Sequence, residues 1–327
     1  MKELVVISGK GGTGKTSIVA SFAALAPKAV MADCDVDAAD LHLVLAPTML
    51  RRETFLCGHE AIIRQADCIG CGACLARCRF GAVKTEVSKD TGGSVVCENC
   101  ADKCLRSCPV KSADVMEAIR ETCGETGYPS FFIDSTACEG CGVCVTQCPV
   151  KAIDFPERVS GEWYVSDTRH GPLVHARLTP GGENSGKLVS KVREVARAIA
   201  DERKADWIVV DGPPGVGCAV IASVSGASLV LVVTEPTLSG AHDMARVLEL
   251  TRHFNIPAAV CVNKWDLNAE MTERIESEAR QAGATIAGRV RYDRAVTAAQ
   301  LQGRAVVETD AGPVGDDVRR IWESVFQ

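Results

Sequence analysis

The sequence predicts an α/β domain built on a mostly parallel sheet, interrupted by a small inserted α+β domain rich in cysteine. Three observations lead there. Apolar strands alternate with helical patterns at both ends of the chain, a glycine-rich loop joins the first strand to the first helix, and fourteen of the 17 cysteines lie between Cys57 and Cys148. At 327 residues there is room for two domains of about 100–200 residues each.

Leu4 to Ile7 reads as a strand, Gly9 to Gly14 as a loop, Lys15 to Ala26 as a helix and Ala29 to Ala32 as a second strand that ends in acidic residues. This is a βαβ opening. The same grammar resumes near Gly186, with a helix from Leu188 to Ala200. Strands at Trp207 to Val210, Leu229 to Val233 and Ala258 to Val262 then alternate with helices at Ala241 to Phe254 and Ala269 to Ala282. Such alternation covers both faces of a parallel sheet with helices. From residue 52 to residue 156 the pattern breaks into cysteine clusters with Gly, Asp and Ser spacers. Residues 1–51 and 157–327 are therefore assigned to one discontinuous domain and 52–156 to the insertion, which carries an extra cysteine-rich stretch near 87–128.

Lys plus Arg is 36 against 42 for Asp plus Glu, a formal charge of −6. That balance excludes a chain whose main work is gripping nucleic acid or an anionic membrane. Hydrophobic content of 46% is ample for a core. The uncharged stretch Gly212 to Thr234 has the length of a membrane span, but Pro213, Pro214, Gly215, Gly217 and Gly226 break it, so it reads as domain interior. At the C-terminus Val318, Ile321, Trp322, Val325 and Phe326 share one helical face. The mixed charges opposite them predict docking on the chain's own domain rather than on a membrane. Leu4 to Ile7 is too short for the apolar core of a signal peptide, so a reducing, cytoplasmic setting is expected, in which clustered cysteines serve as metal ligands.

Gly9-Lys10-Gly11-Gly12-Thr13-Gly14-Lys15-Thr16-Ser17 contains the phosphate-binding pattern G-x-x-x-x-G-K-[ST] between a strand and a helix. Its backbone N–H groups cradle phosphates at the helix N-terminus, Lys15 reaches the β/γ-phosphates and Thr16 holds Mg²⁺. The second lysine, Lys10, makes the loop the deviant form, and with it the sequence resembles the MinD/ParA superfamily of P-loop ATPases. The resemblance implies ATP and Mg²⁺ as ligands and an ATP-dependent homodimer in which Lys10 reaches the partner's phosphates. It further implies that Asp35, in Asp33-x-Asp35, orients the attacking water near Mg²⁺, and that Asp211, ending Trp207-Ile208-Val209-Val210, acts on Mg²⁺ through water. Asn263 after Val260-Cys261-Val262 is assigned to the adenine base, and Val290-Arg291-Tyr292-Asp293 to a loop closing over it. Asp37 and Asp40 read as helix N-terminal charge.

Cys68-x2-Cys71-x2-Cys74-x3-Cys78 and Cys138-x2-Cys141-x2-Cys144-x3-Cys148-Pro149 carry the bacterial ferredoxin spacing, in which the fourth cysteine of each run ligates the other cluster. Two [4Fe–4S] clusters follow, one on Cys68, Cys71, Cys74 and Cys148, the other on Cys138, Cys141, Cys144 and Cys78. Zinc is the competing reading of Cys-x2-Cys pairs. Arg79 replaces the proline usual after the fourth cysteine. A third run, Cys97-x2-Cys100-x3-Cys104-x3-Cys108-Pro109, has one gap a residue too long. It predicts a third metal centre, iron–sulfur or zinc, or an exchange of partners with the first run. Cys218 sits just past Asp211, where an iron–sulfur relative within the superfamily has a cluster ligand, and is expected instead to be a buried packing residue.

Together these features resemble a class of P-loop ATPases with an inserted two-cluster ferredoxin domain. The first expectation is an ATPase whose nucleotide state gates electron transfer to a redox partner. A cluster assembly or carrier ATPase serving an apo iron–sulfur acceptor is the second, and a redox-sensing positioning or regulatory ATPase the third.

Overall fold

Leu4 to Ile7 are each fully buried within β1 (Lys2–Ser8), as befits a parallel strand covered by helices on both faces. The computed structural model describes residues 1–86, 130–179, 182 and 185–326. Its chain divides into two units, residues 1–55 with 161–327, and residues 56–160.

Nine strands form one sheet. They are β1, β2 (Ala29–Asp33), β3 (Thr48–His59), β8 (Glu157–Thr168), β9 (Gly171–Leu178), β10 (Trp207–Pro214), β11 (Leu229–Thr234), β12 (Ala258–Asn263) and β13 (Thr285–Val290). Their order is β13-β12-β11-β1-β10-β2-β9-β8-β3. From β13 through β9 every pairing is parallel, and β8 joins β9 antiparallel. Strand alternation sends Val5 and Ile7 into one core with α5 (Ser185–Arg203), α6 (Cys218–Val224), α7 (Leu238–His253) and α8 (Ala269–Gln281). Leu4 and Val6 enter the opposite core, with α1 (Lys15–Leu25), α2 (Leu41–Leu45), α9 (Arg294–Leu301) and α10 (Pro313–Phe326). Each such side chain, fully removed from water, contributes about 1.5–3 kcal/mol of transfer free energy.

The apolar face of α10 docks as expected. Val318, Ile321 and Val325 are buried in the second core, and Trp322 and Phe326 meet Phe22 edge-on at 5.4 and 5.9 Å. Among the described residues no helix is long and apolar enough to cross a membrane. Gly212 to Thr234 forms the end of β10, α6 and β11, with Val230 to Val233 fully buried. Three strands depart from the sequence reading. β3, β8 and β9 extend the sheet beyond β2 through segments that were assigned to no element, and β8 runs against its neighbour.

In the second unit two cysteine runs fold alike. α3 (Ala73–Arg77) and α4 (Val143–Gln147) each span five residues, start at glycines in the left-handed region (Gly72 φ 66°, Gly142 φ 71°) and end at cysteines with matching backbone (Cys78 φ −74°, ψ 112°; Cys148 φ −74°, ψ 113°). Two antiparallel ladders close the unit. β4 (Ile62–Ile63) pairs with β7 (Ile153–Asp154), and β5 (Val83–Glu86) pairs with β6 (Ser130–Ile133), so that Glu86 faces Ser130. Cys97, Cys100, Cys104 and Cys108 lie outside the described residues, as does the stretch 87–128.

Candidate nucleotide and cysteine-cage sites

Residues at or just past the C-terminal ends of β2, β10, β1, β12 and β13 line one cleft, the place where open α/β sheets bind ligands. β1 runs into the loop Gly9 to Gly14, and Lys15 opens α1. Gly14 is the helix N-cap at φ 84°, and a Cβ there would stand 2.3 Å from Asn263 Nδ2. Glycine is therefore required twice, by backbone and by space. Gly11 to Ser17 line a cavity of ≈ 820 Å³, together with Asp35, Pro213, Asn263 and Tyr292.

Lys15 Nζ donates to Asp211 Oδ1 and lies 3.8 Å from Asp35 Oδ2. Asp33 is fully buried, pairs with Asp211 across the β2/β10 ladder, and accepts N–H groups of Asp35 (3.1 Å) and Leu41 (3.2 Å). It thereby shapes the loop that presents Asp35, a role the sequence reading did not assign. Three carboxylates thus surround one ammonium. Burial pushes the Asp35 carboxyl up to about 6, with Lys15 opposing and Asp211, Asp37 and Asp40 adding to the rise. Burial and the neighbouring Asp211 likewise hold Asp33 well above the usual carboxylate range. Asp211 Oδ2 is buried without a hydrogen-bond partner. An orphaned carboxylate oxygen, surplus negative charge and the hydroxyl of Thr16 in the same cleft form a hard-oxygen donor set that fits Mg²⁺ with its waters. Asp40 stands at the N-cap of α2 without a side-chain cap bond, and Asp37 is exposed.

Asn263 lies at the end of β12, where it braces the loop. Its Nδ2 donates to the Thr13 carbonyl at 2.7 Å and its Oδ1 accepts from Lys264 N at 3.0 Å. Arg291, Tyr292 and Asp293 line the same cleft. Lys10 stands at the loop's mouth, 3.3 Å from Glu235 Oε2. Cys218 is exposed and lines the cleft at the first turn of α6, which corrects the expectation of burial. The signal available was Gly217 before it, a helix start facing the ligand side.

In the second unit Cys68, Cys71, Cys74 and Cys148 line one small cavity with Ile63, Phe131, Val150 and Ile153. Burial, with Cys68 and Cys71 adjacent, pushes the Cys74 thiol up to about 12. Cys138 and Cys141 likewise neighbour Cys144, whose thiol burial also raises. At Cys78 burial acts upward, but the backbone N–H groups of Val83, Phe80, Ala82 and Gly81 outweigh it and leave the thiol below its ordinary value. Ala152 N donates to Cys148 Sγ at 3.2 Å. Among the described residues no three His, Cys, Asp or Glu side chains converge as ligands of a single ion. A cubane spreads its thiolates over separate iron corners, and N–H donors to sulfur are the usual support of such ligands. The donor set fits that group.

The sequence profile of the CobQ/CobB/MinD/ParA nucleotide binding domain matches residues 4–306. An uncharacterized protein of Methanocaldococcus jannaschii, MJ0578, is 31% identical over 275 residues, 81% of this chain and 79% of its own length. The polyferredoxin protein MvhB of Methanothermobacter marburgensis is 32% identical over 98 residues, covering 29% of this chain and 23% of its own. Among solved structures, the MinC:MinD cell division complex of Aquifex aeolicus aligns over 100% of this chain and 96% of its own, with a TM-score of 0.53 at 16% identity, a likeness of fold.

Proposed function

Because the chain belongs to the CobQ/CobB/MinD/ParA family of nucleotide-binding domains, we propose that it binds and hydrolyses Mg²⁺–ATP and that nucleotide state gates electron transfer through two inserted [4Fe–4S] clusters. The observation that carries the cluster half of this reading is the shared cavity of Cys68, Cys71, Cys74 and Cys148, in which a residue of the second run completes the first. The likeness of a stretch of the chain to a polyferredoxin supports the same assignment.

In this reading Lys15 and the loop N–H groups hold the phosphates, while Thr16 and Asp211 hold Mg²⁺ with its waters. Asp35, raised toward neutrality by burial, is poised to orient water and accept its proton. Asn263 braces the loop through the Thr13 carbonyl and is the residue assigned to the adenine base. The clusters supply one-electron chemistry when bound. Cys78 and Cys148, whose sulfurs accept backbone N–H groups, link the two cysteine runs into one cage. A dimer closed by Lys10 and a redox partner complete the cycle.

The test is linkage. ATP must shift the cluster potential by the same free energy with which reduction shifts ATP affinity. Couplings of about 1–3 kcal/mol correspond to roughly 40–130 mV for one electron. EPR-monitored redox titrations with ADP, with a non-hydrolysable ATP analogue and with neither should give different potentials. Identical potentials together with unchanged nucleotide affinity on reduction refute gating.

A further inference from the structure

At the mouth of the phosphate loop, Glu235 joins two lysines. It follows the last residue of β11, and its side chain is 15% exposed. One carboxylate oxygen accepts from Lys264 Nζ and the other lies 3.3 Å from Lys10 Nζ. Lys10 Nζ also donates to Ser239 Oγ at 3.3 Å, and Lys264 Nζ to the Gly12 carbonyl at 3.3 Å. The turn carrying Glu235 is fixed. Thr234 Oγ1 donates to the Gly240 carbonyl at 2.9 Å, and a Cβ on Gly240 would fall 2.3 Å from the Glu235 carbonyl oxygen. Burial raises the Glu235 carboxyl, but Lys264 and Lys10 pull it below the ordinary range, so the carboxylate is charged at neutral pH.

Lys10 is thereby tethered within its own subunit. A triphosphate in the cleft brings several negative charges to the same edge of the loop, where they compete with one carboxylate for both ammonium groups and repel it. We infer that Glu235 is a positioning residue that holds Lys10 and Lys264 at their own phosphate loop until nucleotide displaces it, so that Lys10 is freed for a second copy of the chain only after loading. The inference rests on the reading that Lys10 acts across a dimer.

Two measurements on the full chain test it. Acetic anhydride labelling without nucleotide, resolved by mass spectrometry, should modify Lys10 several-fold faster in Glu235→Gln than in the wild type, with Lys28 as the unchanged control. Light scattering with ATP and Mg²⁺ should show the Glu235→Gln dimer about fivefold tighter, the upper end for a partly exposed ion pair, with Glu235→Asp between. Unchanged Lys10 labelling, or a dimer no tighter than wild type, overturns the role of Glu235. A Lys10→Ala chain that still dimerises with full affinity overturns instead the reading of Lys10 on which the inference rests.

Discussion

Asp35→Asn should stabilise the nucleotide-free protein, and only above about pH 4, where the unfolded carboxyl begins to ionise. Its carboxyl sits at about 6 in the folded chain against a reference of 3.8. A folded value above the unfolded one means that the native state holds the proton more tightly. The stabilisation this gives is full below about pH 4 and is lost as pH rises through about 6. The difference of about two pKa units is an upper bound near 3 kcal/mol at 1.36 kcal/mol per unit. The side chain is 16% exposed and has Lys15 at 3.8 Å, so screening reduces the net cost of the charge to about 1–2 kcal/mol. At about 2–4 °C per kcal/mol for a domain of this size, Asp35→Asn should melt roughly 2–8 °C higher at pH 8, and the gap should close by about pH 4. Calorimetry without nucleotide across this range decides it. A variant that is less stable at pH 8, or a difference independent of pH, refutes the electrostatic account of the cleft.

Lys15→Ala should abolish ATP binding in equilibrium dialysis while the visible and EPR spectra of the clusters stay intact, because Lys15 supplies charge to the phosphates and belongs to the other of the chain's two units. Gly14→Ala should lower nucleotide affinity by at least about a hundredfold, since the left-handed backbone and the 2.3 Å approach to Asn263 both reject a methyl group; titration calorimetry reads this directly. Cys148→Ser should disturb the cluster of the first run, with iron and sulfide analysis showing loss of one cubane while the signal of the second run persists. Loss confined to the second run would reverse the assigned pairing.

The phosphate loop was legible because its chemistry is local. Nine consecutive residues carry the glycines, the lysine and the hydroxyl, and an apolar strand and a helix bracket them. The two ferredoxin-type runs were legible for the same reason. Asp33 and Glu235 were not, because the charges they answer to, Asp211 beside Asp33 and Lys10 and Lys264 beside Glu235, come from distant parts of the chain. Lys15 meets Asp211 from 196 positions away in the chain, and only the sheet order brings β2, β10, β1 and β11 side by side. For Glu235 the one available signal was a carboxylate two residues past a fully apolar run, Leu229 to Val233. β8 was missed because its outward residues, among them Glu157, Glu162 and Asp167, dilute the apolar set. β3 was missed because it lies at the sheet's margin with most of its residues exposed, so no buried face imposes an alternation.

The ladder of β5 and β6 offers a place to shorten the chain. Glu86 and Ser130 are facing partners, so the polypeptide leaves and re-enters at neighbouring rungs, about one strand spacing apart. A two-residue Asn-Gly turn has the reach to replace residues 87–129 and convert the pair into an ordinary hairpin. Joining Glu86 to Ser130 in this way leaves all eight cysteines of the outer runs in the chain. A shortened chain built this way should keep two cubanes by iron and sulfide analysis, and whatever metal it loses relative to the full chain is the share that Cys97, Cys100, Cys104 and Cys108, with Cys123, carry.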